Sequence, residues 1–86
     1  MNSKTLGRNT PEVEITNISQ NGVWLWAKGR ESFMSYDDFP WFKDVPVKKI
    51  FNVKEVSPGH LYWPDLDVDL TDEMIEHPER FPVKMH

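Results

Sequence analysis

His60-Leu61-Tyr62-Trp63-Pro64-Asp65-Leu66-Asp67-Val68-Asp69-Leu70 is the stretch on which the architecture turns. Its three aspartates alternate with Leu66, Val68 and Leu70. Successive side chains of a strand point to opposite faces, so this spacing puts the aspartates on one face and the aliphatics on the other. The stretch therefore reads as one half-buried strand with an acidic outer rim. Pro64 cannot donate to a sheet ladder, which predicts a kink there and a place at an edge or a bend.

Downstream, Thr71 suits a helix N-cap, and Asp72 and Glu73 suit the positive end of a helix that buries Met74 and Ile75. Pro78 disfavours helical geometry at His77, so that helix is short. Phe81 then pins the tail back. Upstream, residues 53–57 read as a strand entering a Pro58-Gly59 turn. Before them Pro46 opens a short helix over 47–52, with Val47, Ile50 and Phe51 on one side. Asp37 is expected to cap a single helical turn that carries Pro40.

The first third of the chain is β-rich. Val13, Ile15 and Asn17 alternate with Glu14, Thr16 and Ile18, and Asn21-Gly22 marks a hairpin. Residues 23–28 set Val23, Leu25 and Ala27 against Trp24 and Trp26. Apolar residues on both faces predict a central strand, or one whose second face meets a helix. Lys28-Gly29-Arg30-Glu31 turns the chain into a third run at 32–36, which completes an antiparallel meander. The expected fold class is α+β: a small antiparallel four- or five-stranded sheet with two short helices on one face. Residues 1–11 read as a disordered N-terminal arm, 12–82 as a single α+β domain and 83–86 as a loose tail.

Composition narrows the function classes. The 86 residues include no cysteine, so neither disulfides nor a thiolate metal site support the fold. Four Trp, five Phe and two Tyr take that role, and so many rings in a small domain predict an exposed aromatic patch. The net charge of −4, from 14 acidic and 10 basic residues, argues against nucleic acid as a partner. No apolar run approaches the ~20 residues of a membrane span, and the N-terminus lacks the apolar stretch of a signal peptide, so the expected compartment is cytoplasmic.

Three segments carry a likeness to a known family: Gly22-Val23-Trp24-Leu25-Trp26, then the Phe33–Trp41 segment with its Asp-Asp-Phe-Pro-Trp-Phe, and Leu61 through Leu70 with its Trp63-Pro64-Asp65. The closing Glu76-His77-Pro78-Glu79-Arg80-Phe81-Pro82 fits as well. Over residues 13–82 the chain resembles the small bacterial domain-of-unknown-function family number 2442. The resemblance implies a compact α+β domain on a small antiparallel sheet. It also implies a gene beside that of another small protein, in an arrangement like a toxin–antitoxin pair. It implies no catalytic or binding residue.

Two functional readings follow. The first is a small non-enzymatic protein-interaction module, antitoxin-like, with a small protein partner encoded nearby. Its candidate contacts are the aromatics Trp26, Tyr36, Trp41 and Trp63, flanked by the acidic rim of Asp65, Asp67 and Asp69. The alternative is a small ligand- or metal-binding domain using His60 and the same three aspartates. Asp65, Asp67, Asp69 and Glu76 match the spacing of a calcium loop, but Leu70 stands where the loop needs glycine. No nucleophile with a matching base and no phosphate-cradling loop appears. The expectation is thus no enzyme, no catalytic residue, no metal and no cofactor.

Overall fold

Lys28 and Gly29 both adopt positive φ, 54° and 75°, and pair Ala27 with Arg30 across the two-residue turn. Positive φ at both central positions matches the twist of the flanking strands, so this turn closes a tight hairpin. The hairpin belongs to a computed structural model that describes residues 12–81. The expected arm at 1–11 and tail at 83–86 lie outside the described residues.

Among the described residues, β1 (Val13–Ile18), β2 (Gly22–Ala27) and β3 (Arg30–Ser35) form one antiparallel sheet with β2 central. A 3₁₀ turn (Pro40–Phe42) and helix α1 (Val47–Phe51) lead to a second sheet. That sheet is also three-stranded and antiparallel, ordered β4 (Lys54–Ser57), β5 (His60–Trp63), β6 (Val68–Thr71). Helix α2 (Asp72–Glu76) and a second 3₁₀ turn (Pro78–Arg80) follow. The class is α+β with two short helices, as expected, but two sheets replace the single sheet of four or five strands.

The stretch that decides this is the acidic one. It is two strands rather than one kinked strand: the chain turns between Trp63 and Val68, with the Leu66 N–H bonded to the Trp63 carbonyl at 3.2 Å. Pro64 has no N–H to continue the ladder, and Asp67 takes a positive φ of 53°. Asp65 and Asp67 consequently lie in the turn and only Asp69 lies on a strand, so the three do not share one strand face.

β1 holds a second departure from simple alternation. A bulge between Ile15 and Asn17 shifts the register, so Val13, Ile15 and Ile18 pair with the core-facing Ala27, Leu25 and Val23. Without the extra residue Ile18 would project to the opposite face from Ile15. Gly22 is the first residue of β2, not a turn residue with positive φ. A Cβ there would lie 2.6 Å from Phe33 Cζ and 2.8 Å from Ser35 Cα. Glycine is required because the Phe33 ring and the β3 backbone occupy that space.

One core joins the sheets: Ile15, Val23, Leu25 and Met34 from the first, Leu61, Trp63, Val68 and Leu70 from the second, with Phe39, Phe42, Ile50 and Ile75 between. Phe42 meets Trp63 edge to face at 4.9 Å between ring centroids. Thr71 caps α2 by accepting the Met74 N–H at 3.3 Å. Asp37 caps nothing. Phe39 is the N-cap of the 3₁₀ turn with no side-chain bond, and Asp38 instead closes a small turn with the Ser35 hydroxyl at 3.1 Å.

Candidate functional site

Each sheet turns one face to the core and one outward, and the two outer faces differ in kind. On the second sheet Lys54 pairs with Tyr62 and Tyr62 with Asp69, while His60 pairs with Thr71. Two side-chain contacts engage carboxylates of this face. The Tyr62 hydroxyl donates to Asp67 at 3.1 Å, and His60 Nε2 meets the Asp69 carboxylate. Asp65 lies apart and accepts from the Asn52 amide at 3.0 Å. The hydrogen bond to Asp67, with some desolvation, pushes the Tyr62 phenol above its ordinary range.

The outer face of the first sheet is aromatic. Cross-strand register sets Glu14 opposite Trp26, and Trp26 opposite Glu31, forming one row across all three strands. In the next row Asn17, Trp24 and Phe33 are aligned, with the Trp24 and Phe33 rings tilted and their centroids 5.0 Å apart. Trp26 is 37% exposed and Phe33 38%. The Glu31 carboxylate reaches across β2 to accept the Thr16 hydroxyl, so the bulge that corrected the β1 parity also supplies a hydroxyl to this face. The result is an aromatic stripe with a carboxylate strand on either side.

Beside Trp26 the surface falls into an open cleft of about 650 Å³ between the β2–β3 and β4–β5 hairpin ends. Trp26, Lys28, Gly29, Glu12, Glu55 and Pro58 line it. The Lys28 ammonium is engaged by Asp72, which with Glu55 and Glu76 nearby raises its pKa above the usual lysine value. Arg30 pairs with Glu76, so two ion pairs anchor this end of the first sheet to α2. Glu55 accepts the Gly59 N–H at 3.1 Å through one of its oxygens.

The expected contact residues thus separate. Trp26 is at the centre of the aromatic face. Trp41 is 40% exposed but belongs to the 3₁₀ turn, beside Phe39. Tyr36 packs partly against the core and donates its hydroxyl to the Ser19 carbonyl at 3.0 Å. Trp63 is 0% exposed and is a core residue, because its indole N–H finds the Ile50 carbonyl inside the protein; it has no surface to offer. Asp65, Asp67 and Asp69 do not flank Trp26; Glu14 and Glu31 do. Sequence reading passed over Trp24, Phe33, Glu14 and Glu31, although the alternation of Val13-Glu14-Ile15 against Trp24 and Trp26 held part of the signal.

Among the described residues no group of three or more His, Asp or Glu converges as a metal site, and no helix is long and apolar enough to cross a membrane. The family model described as "Protein of unknown function (DUF2442)" matches residues 12–81, and the chain belongs to that family. No curated protein and no solved structure matches it.

Proposed function

We propose that this member of the family is a non-enzymatic interaction module that presents the outer face of its first sheet to a basic protein partner. The row Glu14, Trp26, Glu31, backed by Trp24 against Phe33, carries this reading. Aromatic side chains bury large areas on binding at low entropic cost, and they dominate interface hot spots. Carboxylates on both flanks favour Lys or Arg on the partner, which mainly improves specificity and association rate. The same acidic flanks, in a chain of net charge −4, oppose a phosphate backbone and argue against DNA or RNA.

The antitoxin-like setting, a two-gene system with the partner encoded nearby, is inferred from the family likeness. The catalytic reading has less support: His60 and His77 pair with Asp69 and Glu79 and neither lines the cleft. A ligand site built from His60 and the aspartates is also less favoured, since Asp65, Asp67 and Asp69 bond to separate partners.

Co-expression with the adjacent gene product, tagged purification and mass measurement test the proposal. Stoichiometric recovery of one small basic protein, lost on Trp26→Ala in a chain that remains folded, is the expected result. Recovery of the chain alone while both proteins are folded overturns it.

A further inference from the structure

We infer that the cleft beside Trp26 is a socket for an arginine side chain of the basic partner, an assignment that rests on the reading of the outer face given above. Trp26 belongs to both features: it is the centre of the Glu14, Trp26, Glu31 row and one wall of the cleft. A chain lying along the aromatic stripe therefore needs only one side chain to enter.

The lining selects its chemistry. Glu12 precedes β1 and Glu55 lies on β4, so carboxylates approach from the first-sheet and second-sheet sides. Lys28, the cation in the lining, has Asp72 as its counter-ion and is also attracted by Glu55, so an entering cation meets Glu12 and the Glu55 oxygen that the Gly59 N–H does not occupy. Gly29 adds no side chain and Pro58 adds a flat apolar surface. A guanidinium is planar, weakly hydrated, stacks on an indole face and presents a fork of N–H donors to carboxylates. A lysine ammonium is a compact, strongly hydrated charge that gains less from the Trp26 wall. A volume of about 650 Å³ admits an arginine side chain with parts of its neighbours.

The test uses the full chain, ¹⁵N-labelled, titrated with a capped Ala-Arg-Ala tripeptide, its lysine analogue and its citrulline analogue. The Trp26 indole N–H, assigned through Trp26→Phe, should shift saturably with the arginine peptide, together with the Gly29 and Ser57 amides. The lysine peptide should bind more weakly and the citrulline peptide more weakly still. Joint Glu12→Gln and Glu55→Gln substitution should weaken arginine binding about tenfold. The amide introduced at position 55 keeps an oxygen for the Gly59 N–H, so the β4–β5 turn retains its bond.

Absence of a saturable shift, or equal binding by the double variant, overturns the socket. If the double variant captures the protein partner with unchanged affinity, the socket fails while the interaction module stands. If the arginine peptide binds as described but no partner is captured, the interaction module fails and the socket stands.

Discussion

Trp63 donates its indole N–H to the backbone carbonyl of Ile50 at 2.9 Å, tying the central strand of the second sheet to the end of α1. Both residues are buried, so neither group has water as an alternative partner. The bond explains how the largest side chain in the core is accommodated without an unpaired donor.

Trp63→Phe removes the donor and strands the Ile50 carbonyl. The expected cost is about 2–4 kcal/mol, combining an unsatisfied buried acceptor with a partial cavity beside Phe42. Urea denaturation measures it directly. A change below about 0.5 kcal/mol, the scale of ordinary surface substitutions, would show that the bond and the packing contribute little.

Gly22→Ala should destabilise by roughly 1–3 kcal/mol, because the added methyl meets the Phe33 ring and the β3 backbone. Combining it with Phe33→Ala should cost less than the sum of the two single changes, since one of the clashing groups is then gone. Additive costs in a thermal-melt cycle would mean that the ring over Gly22 is not the cause.

Trp26→Ala should leave the fold almost intact and abolish partner capture, because Trp26 is half-exposed at the centre of the aromatic face. Trp41→Ala should leave capture unchanged, since Trp41 lies on the 3₁₀ turn outside that face. Joint Glu14→Gln and Glu31→Gln should slow association and reduce its salt dependence. Surface-plasmon kinetics separates these effects, and loss of binding with Trp41→Ala but not Trp26→Ala would move the interface elsewhere.

Alkaline pH should destabilise the protein through two groups. Lys28 gains a hydrogen bond and charge attraction from Asp72, and Tyr62 gains a hydrogen bond to Asp67, so both folded-state pKa values are raised. Each contributes stability that is complete below its unfolded value and is lost as pH rises through the folded value, a window that opens at about pH 10. Melting temperatures between about pH 8 and 12 should fall, and Lys28→Met with Tyr62→Phe should flatten the decline. An unchanged slope in the double variant would remove these two groups from the account.

Local chemistry made several elements legible. Thr71 caps α2 as a hydroxyl before two acidic residues should. Pro58-Gly59 turns β4 into β5, with Gly59 at a φ of +76°. The hairpin between β1 and β2 forms, but Gly22 is the first residue of β2, and it is glycine because the Phe33 ring and the β3 backbone occupy the place of a Cβ. The face assignment of Ile18 was not legible, because a β-bulge changes which residues are opposed without a residue type that announces it.

The candidate site was legible only in part. Trp26 belongs to an apolar run on both faces of β2, and period-two alternation marks its face without saying which face meets the core. That choice is made in the shared core, where Val23 and Leu25 join Leu61, Trp63, Val68 and Leu70 of the other sheet in one cluster. The aspartates were the more conspicuous acidic signal, yet Pro64 and the left-handed Asp67 place two of them in a turn.

By itself, the sequence determined the family, the α+β class, the meander and the cap of α2, because each depends on neighbours within a few positions along the chain. Only the tertiary structure decided that His60–Trp63 and Val68–Thr71 are separate strands of a second sheet, that Trp63 is core and that Trp26 is surface. Those outcomes depend on which apolar faces meet across space, and burial is a property of that meeting and not of any one segment.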